Sequence, residues 1–328
     1  MDHGGVGRYG RLLIDGLRRL PDGPSLEVVE RGAGRSWAAA PFTPWARARV
    51  GRRARTSRAD VLHSLHLELP RVEIPCVVTI HDLIPIEVEG AMPSRVRRAV
   101  FRRLLETALE RATKVIVPSE VTRASLARSY GSTDAKVVVI PNAVDPVFVP
   151  LDEGKRDEAR RRFASGARYV AAMSDARTHK APDVLGEAAR RIVDAGTSVV
   201  FAGEPRVVFT SFPQAGALSD RDLALFLGGA DLFLLPSRLE GFGVPLAEAA
   251  ACGVPGIAST GVGAVSYLGD GVLVVAAEGE EVAEAALSLL GEESERLRRS
   301  GAALGSAAAL SVDALARATD QVYASLLR

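Results

Sequence analysis

Short apolar runs that alternate with helical patterns are the feature that most constrains the fold of this chain. Each run has three to five residues, mostly Val, Ile, Leu or Ala, which is typical of a fully buried strand. Strands that are connected by helices form parallel sheets with helices on both faces. The predicted strands lie at 77–80, 114–117, 137–140, 169–172, 198–201, 231–235, 256–258 and 272–275, and the predicted helices at 95–112, 182–195, 219–229, 244–252, 279–291 and 312–327.

A proline-rich break divides the strands into two series. It runs from Pro141 to Pro150 and precedes a highly charged stretch, which is typical of a domain boundary. We therefore expect an α/β protein of two doubly wound domains that face each other across a cleft, with ligands at the carboxyl ends of the strands. The predicted bounds are 1–146 for the N-terminal domain, 147–166 for a linker, 167–310 for the C-terminal domain, and 311–328 for a C-terminal helix that packs back on the first domain.

Charge and composition exclude several classes of protein. The chain has 41 basic and 40 acidic side chains, which argues against a general nucleic-acid binder, although residues 1–146 carry a net charge of +7. No apolar run approaches the roughly 20 residues that span a bilayer, and no secretory signal begins the chain. Cys76 and Cys252 form no disulfide or metal-ligand pattern. We expect a cytoplasmic protein, soluble or peripheral at the inner membrane face.

The segment 240–255 indicates the kind of ligand. Glu240 lies in a glycine-rich turn after an apolar strand, and Glu248 lies on the helix that the turn opens. A helix start offers unpaired N–H groups to an anion, and carboxylates accept hydrogen bonds from hydroxyls. The segment therefore favours a ligand that carries both phosphate and sugar hydroxyls. The alternative is one acid in a turn and a second on a solvated helix face.

Five landmarks in chain order resemble the retaining GT-B fold glycosyltransferases of the family 4 type, the group 1, mannosyltransferase-like enzymes. They are the glycine loop from Gly4 to Tyr9, the His81-Asp82-Leu83-Ile84-Pro85 motif, the strand ends at 112–119 and 140–145, the basic Arg177-Thr178-His179-Lys180 segment, and the paired glutamates Glu240 and Glu248. The resemblance spans nearly the whole chain. It implies an N-terminal acceptor-binding domain and a C-terminal domain that binds a nucleotide diphosphate sugar, linked to GDP or UDP.

The resemblance also implies roles for single residues. The implied catalytic residues are His81, Glu240, Arg177 and Lys180. The implied donor-binding residues are Gly4, Gly5, Arg177, Lys180, Glu240, Gly241, Phe242, Gly243, Val244 and Glu248, with Glu240 on the sugar and Glu248 on the ribose. Physically, two cations suit a diphosphate and glycines let a backbone approach it closely, but a solvated basic turn and ordinary loop glycines are the alternatives.

His81 and Asp82 are the implied acceptor-binding residues. A histidine at the carboxyl end of a strand can accept or donate a proton near neutral pH, whereas one on a core face is more often structural. In the family's front-face substitution the leaving phosphate takes the proton of the acceptor, so that no separate base is needed. The resemblance implies neither a cofactor nor a metal ion.

The predicted helix at 95–112 leaves two interpretations open. Its apolar residues Val96, Ala99, Val100, Leu104, Ala108 and Ala112 fall roughly on one face, with five arginines between 95 and 103 around it. The face either attracts an anionic membrane or a lipid acceptor, or packs inside the domain with a solvated basic rim.

Four departures from the family pattern stand beside the match. The first strand of the N-terminal domain is missing, because Met1 lies three residues before Gly4, and we expect a misassigned start or a truncated chain. The segment before Ser219 is short, Ser174-Asp175 places an acid near the expected phosphates, and Ser266 replaces a glutamate.

The leading hypothesis is a metal-independent retaining transferase that moves a hexose, mannose or a relative, to a saccharide or glycolipid acceptor. The rival is a degenerate, non-catalytic sugar-nucleotide binder or a truncated transferase. A GT-B phosphorylase or epimerase is a further alternative, although no cofactor-lysine motif supports a phosphorylase.

Overall fold

The computed structural model describes residues 5–29, 50–54, 56, 58–92, 94–131, 135–173, 175–204 and 209–327. By its internal contacts the chain divides into two compact units. Unit 1 consists of Met1–Ala143 and Val312–Arg328, and unit 2 is Val144–Ser311. The segment 147–166, which we predicted to be a linker, lies inside unit 2 and carries a helix there.

Unit 1 contains a four-stranded parallel sheet in the order β1-β2-β3-β4. The strands are β1 (Leu62–Ser64), β2 (Cys76–Thr79), β3 (Lys114–Val117) and β4 (Val137–Val139). The helices are α1 (Gly5–Arg19), α2 (Ile84–Glu87), α3 (Arg95–Arg111), α4 (Glu120–Tyr130) and the C-terminal helix (Val312–Leu326). The predictions of β2, β3, β4 and α3 are confirmed within one residue at each end.

The start of unit 1 is a helix in the described part of the chain. Among residues 5–29, 50–54 and 56, no strand precedes β1. The prediction also missed β1 itself, because its sequence Leu-His-Ser shows no apolar run. β1 pairs with β2 in parallel, with Leu62 opposite Cys76.

Unit 2 contains a six-stranded parallel sheet in the order β10-β9-β8-β5-β6-β7. Its strands are β5 (Tyr169–Met173), β6 (Ser198–Ala202), β7 (Gln214–Gly216), β8 (Leu232–Leu235), β9 (Gly256–Ser259) and β10 (Val272–Val275). Its α-helices are α5 (Glu153–Ala164), α6 (Pro182–Asp194), α7 (Asp220–Gly229), α8 (Val244–Ala251), α9 (Val265–Leu268), α10 (Gly279–Gly291) and α11 (Glu293–Ala307). Two short 3₁₀ helices lie at Thr178–Lys180 and Gly269–Gly271. The predicted α/β class with two parallel sheets is confirmed.

The unit 2 sheet is buried on both faces. Along β5, Tyr169 and Ala171 belong to one apolar cluster, and Val170 and Ala172 belong to a second. Successive side chains of a strand point to opposite faces, so that the two clusters fill the two sides of the sheet. The continuous apolar runs in the sequence follow from this double burial.

The apolar face of α3 differs from the predicted one. Phe101, Leu104, Leu105 and Ala108 are buried, as is Ala112 after the helix. In contrast, Val96, Ala99 and Val100 are exposed, with 72% of Val96 accessible to solvent. The first two turns of α3 therefore present apolar and arginine side chains to solvent together. No helix in the described residues is both long enough and apolar enough to cross a membrane.

The C-terminal helix packs on α1 inside unit 1. Leu13 and Leu17 of α1 share an apolar cluster with Leu315 and Val322 of the C-terminal helix. Gly16 sits at the closest approach, because a Cβ atom there would lie 2.9 Å from both Val312 Cγ1 and Ala316 Cβ.

We expect Gly16→Val to destabilise unit 1 by about 1–3 kcal/mol, because the added side chain forces the two helices apart. Thermal and urea unfolding measure the change. Gly5→Ala is the matched control, since a Cβ at Gly5 meets nothing within 4 Å. Equal stability of Gly16→Val and the parent would contradict the close packing.

Candidate functional site

The strand order of unit 2 brings three loops to one edge of the sheet. β5, β8 and β9 are neighbours, and all pair in parallel. The described residues of the loops that follow them are 175–181, 236–243 and 260–264. Because the carboxyl ends of parallel strands meet at one edge, these loops lie side by side although they are far apart in sequence.

An ion pair joins two of these loops. The Lys180 ammonium group donates a hydrogen bond to Glu240 Oε1, and the side chains are 17% and 10% exposed. Ser237 Oγ donates to the same carboxylate oxygen over 2.9 Å. Both ionic residues are thus mostly buried and mutually paired.

Backbone hydrogen bonds fix the Glu240 turn against the loop after β9. The Glu240 N–H donates to Gly261 O over 2.9 Å, and the Ala264 N–H donates to Phe242 O over 2.6 Å. Gly261 lies so close that a Cβ atom there would be 2.1 Å from Arg238 O. A side chain at this position is therefore incompatible with the turn.

The helix α8 begins beside this turn without a side-chain cap. Gly243 is its N-cap residue with a φ of +93°, a conformation that favours glycine, and Val244 is the first helical residue. Pro245 follows, where a missing N–H costs nothing. In the first turn the Leu246 N–H already donates to Gly243 O over 3.0 Å, and Pro245 has no N–H, so the Val244 N–H is the one that the helix start can donate to an anion.

Glu248 lies on α8 and is 1% exposed. Burial, together with the nearby Glu248 charge, raises the pKa of the Cys252 thiol to about 12. Because Glu248 is buried, the alternative of an acid on a solvated helix face is wrong for this residue.

Arg177 is paired with Asp175. The guanidinium donates from Nε to both carboxylate oxygens over 3.0 Å and from Nη2 to Oδ2 over 2.5 Å. The Arg177 backbone N–H also donates to Asp175 Oδ1 over 3.0 Å. Although burial acts to raise the pKa of Asp175, these hydrogen bonds hold it below its usual value. The two cations predicted to neutralise a diphosphate are thus both bound to carboxylates.

His179 lies between the two ion pairs. It is 4% exposed, and its Nδ1 has no hydrogen-bond partner. Burial is the main cause that lowers its pKa to about 4, and the charges of Glu240, Lys180, Arg177 and Asp175 all act on it. The ring is therefore uncharged near pH 7. Because both ion pairs act on His179, both lie close to it.

Arg238 ties the 3₁₀ turn to the Glu240 loop, a role that the sequence analysis missed. Its backbone N–H donates to His179 O over 2.8 Å. Its guanidinium donates to both carboxylate oxygens of Asp183, over 2.9 and 2.5 Å. No local sequence pattern marks an arginine and an aspartate 55 residues apart as partners.

In unit 1, His81 follows β2 and packs edge-on against Tyr9, with 4.9 Å between ring centroids. Burial lowers the pKa of His81 to about 4, the charge of His66 lowers it further, and a hydrogen bond to the Leu65 backbone acts in the opposite direction. The His81 ring is therefore neutral near pH 7. Its Nε2 is buried without a partner.

Two other predicted residues of unit 1 have local roles. Asp82 Oδ1 accepts a hydrogen bond from the Ile84 N–H over 3.1 Å at the start of α2. Gly5 begins α1, and a Cβ atom there would meet nothing within 4 Å. Gly4 lies outside the described residues.

A partly buried chain of polar side chains lies near His81 and was also missed. His63 bonds through Nδ1 to the Tyr323 hydroxyl over 2.6 Å and through Nε2 to Thr79 Oγ1 over 2.8 Å. Burial, together with the charge of His81, lowers the pKa of His63 to about 3. The three residues join β1, β2 and the C-terminal helix.

Comparison with known families places the chain. Residues 3–148 match the family model of Glycosyltransferase Family 4, and residues 155–304 match that of Glycosyl transferases group 1. The chain belongs to the GT-B glycosyltransferases of the family 4 type. The landmarks His81 and Arg177 to Glu248 lie inside the two matched regions, one on each side of the break at 141–150.

Curated relatives of this chain include D-inositol 3-phosphate glycosyltransferases of several bacteria. The D-inositol 3-phosphate glycosyltransferase of Mycolicibacterium smegmatis is 30% identical over 282 residues, which cover 76% of this chain. That of Kineococcus radiotolerans is 26% identical over 311 residues, 80% of this chain and 71% of its own. This chain spans 62% of the length of the M. smegmatis relative.

Solved structures of the same fold cover almost the entire chain. Sucrose-phosphate synthase of Thermosynechococcus elongatus superposes with a TM-score of 0.76 at 19% identity, over 98% of this chain and 94% of its own. The lipopolysaccharide glycosyltransferase WaaG gives 0.70 at 16% identity, over 98% and 97%. HepE of Anabaena, in complex with UDP and glucose, gives 0.68 at 16% identity, over 87% and 84%.

The buried histidines of this glycosyltransferase make its stability depend on pH. His63 has a folded pKa of about 3, below its usual 6.5, so the unfolded chain binds a proton here at pH 4–6 and the folded chain does not. Stability is therefore complete above pH 6.5 and decreases as the pH falls. We expect His63→Gln to reduce proton uptake on unfolding at pH 5 by about one, as measured by urea unfolding between pH 4.5 and 7.5. An unchanged slope of unfolding free energy against pH would contradict this.

Proposed function

We propose that the chain is a metal-independent retaining glycosyltransferase. It moves a hexose, mannose or a relative, from a UDP- or GDP-linked donor to a saccharide or glycolipid acceptor. The observation that carries the proposal is the Lys180–Glu240 pair beside the uncapped start of α8. A cation, the positive end of a helix and a carboxylate together match a ligand in which phosphate and sugar hydroxyls are adjacent.

In this proposal unit 2 binds the donor. Lys180 and Arg177 stabilise the diphosphate as it leaves, together with the first amides of α8. Glu240 and the amides of 241–244 hold the hexose, and Glu248 binds the ribose hydroxyls. Ser237 and Arg238 position the Glu240 carboxylate and the turn that carries Lys180.

His81 serves in this proposal as a hydrogen-bonding ligand in unit 1, which binds the acceptor. Its low pKa keeps the ring neutral, and its Nε2 has no hydrogen-bond partner among the described residues. The leaving phosphate takes the proton of the attacking hydroxyl, and the sugar passes through an oxocarbenium-like transition state. Positive side chains and backbone amides carry the charge that a metal ion would otherwise neutralise.

The comparisons guide the choice of substrates. The HepE structure holds UDP and glucose, and other HepE complexes hold UDP or UDP-glucose, so uridine donors are the first to test. The relatives named D-inositol 3-phosphate glycosyltransferase make inositol phosphate a rational acceptor beside saccharides.

We expect UDP or GDP to raise the unfolding temperature of the protein, and Lys180→Met to abolish the shift, because the diphosphate loses its buried cation. Differential scanning fluorimetry at up to millimolar nucleotide measures both. Lys155→Met, an exposed lysine of α5, is the control that keeps the shift.

Transfer assays then separate the proposal from its rival. Sugar transfer in EDTA with retained anomeric configuration supports the enzyme. Binding without transfer or donor hydrolysis, across saccharide and lipid acceptors, supports a degenerate sugar-nucleotide binder. A folded protein that shows no shift with either nucleotide refutes both.

We further propose that the basic face of α3 contacts an anionic membrane surface. This face consists of Arg95, Val96, Arg97, Ala99, Val100, Arg102 and Arg103, all exposed. The exposed valines supply apolar contact, and the arginines attract acidic headgroups. Arg98 is directed inward, since its guanidinium donates to Ile86 O and anchors the helix.

We expect the protein to sediment with vesicles of phosphatidylglycerol and not with phosphatidylcholine alone, and to be released by high salt. Arg102→Gln with Arg103→Gln is expected to weaken the binding severalfold. Arg161→Gln with Arg190→Gln, two exposed arginines of unit 2, is the charge-matched control. Equal sedimentation of the two double variants would refute the role of α3.

A further inference from the structure

Among the residues that the structure describes, the cations that we assign to the donor pocket of unit 2 are balanced by carboxylates. Arg177 and Lys180 are its cations, and Asp175 and Glu240 are bound to them. Glu248 is the third carboxylate that we assign to this pocket, after Asp175 and Glu240. The low pKa of His179 leaves its ring uncharged near pH 7. A diphosphate must therefore compete with carboxylates for both cations.

The two ion pairs, Lys180–Glu240 and Arg177–Asp175, respond differently to a bound donor in our proposal. Glu240 is the carboxylate that we propose to bind the hexose, so the ligand itself brings a hydroxyl that replaces part of its contact with Lys180. In our proposal no group of the ligand takes the place of Arg177 as the partner of Asp175. Asp175 lies two residues before Arg177 and accepts hydrogen bonds from its side chain and its backbone N–H. The Asp175–Arg177 pair thus persists unless the phosphate displaces the carboxylate.

We propose that Asp175 determines how strongly this pocket holds a diphosphate, by occupying Arg177. The inference rests on the proposed donor-binding function and assigns Asp175 as a residue that lowers donor affinity. With Arg177 held, the phosphates rely on Lys180 and the backbone amides. Removing the Asp175 charge frees the guanidinium, which can then bind phosphate oxygens in a bidentate manner.

The Asp175→Asn variant separates charge from local shape. In the parent, Asp175 Oδ1 accepts the Arg177 N–H two residues on, which is the geometry of an Asx turn. Asparagine makes the same turn through its amide oxygen and carries no charge. Asp175→Ser gives a second neutral variant that forms the equivalent turn.

We expect Asp175→Asn to bind UDP and GDP about five- to tenfold more tightly than the parent, by isothermal titration calorimetry at low salt. The gain shrinks at high salt, because an exposed charge is screened. Asp270→Asn is the matched control, since it breaks another exposed aspartate–arginine pair, Asp270–Arg298, and is expected to leave affinity unchanged.

A double-mutant cycle with Arg177→Gln tests the route of the effect. If Asp175 acts by holding Arg177, Asp175→Asn gives little gain once Arg177 is replaced. Equal affinity of Asp175→Asn and the parent, or an undiminished gain in the Arg177→Gln background, would overturn the inference. Failure of the parent and of every variant to bind either nucleotide would instead refute the proposed function.

Discussion

The parallel arrangement of β9, β8 and β5 is the constraint on which the candidate site depends. Adjacent parallel strands deliver their following loops to the same edge, so Lys180 and Glu240 meet across 60 residues of sequence. The apolar burial of both sheet faces makes this arrangement rigid. The loops are held in position by backbone hydrogen bonds, by the contacts of Lys180 and Ser237 with Glu240, and by the Arg238–Asp183 ion pair.

Charge in the site is balanced before any ligand arrives. Buried ionic groups are costly unless they are paired, and Lys180 with Glu240 satisfies that requirement through mutual contact. The pairing explains how Lys180 and Glu240 can both be mostly buried and still carry charge. It also means that an anionic ligand must replace carboxylates as the partners of Lys180 and Arg177, because these cations are already paired.

Sequence periodicity was sufficient to predict the central strands, because burial on both faces of a sheet produces continuous apolar runs, and it predicted six of the twelve α-helices named above. It failed for β1, whose three residues are polar or half-buried, and for α5, whose Glu153–Ala164 sequence is so charged that we took it for a linker. The outer face of α3 was also assigned wrongly, since apolar residues at helical spacing do not by themselves show which turns reach the core. Tertiary contacts decide each of these cases.

For the candidate site residues, too, the sequence predicted some features and not others. Motif resemblance located Lys180, Glu240 and Glu248, yet it did not predict the pairing of Arg177 with Asp175 or the neutral state of His81. Those properties arise from burial and from neighbours that no short pattern encodes. His63 and Tyr323 lie 260 residues apart and share a hydrogen bond, which one sequence without structure does not reveal.

The placement of the C-terminal helix has a consequence for biosynthesis. Unit 2 is one continuous stretch, whereas unit 1 needs residues from both sides of it. During translation, unit 2 emerges entire while α1 and its sheet still lack Leu315, Val322 and the Tyr323 hydroxyl. Unit 1 therefore completes its fold only after the whole of unit 2 and the helix Val312–Leu326 have been synthesised.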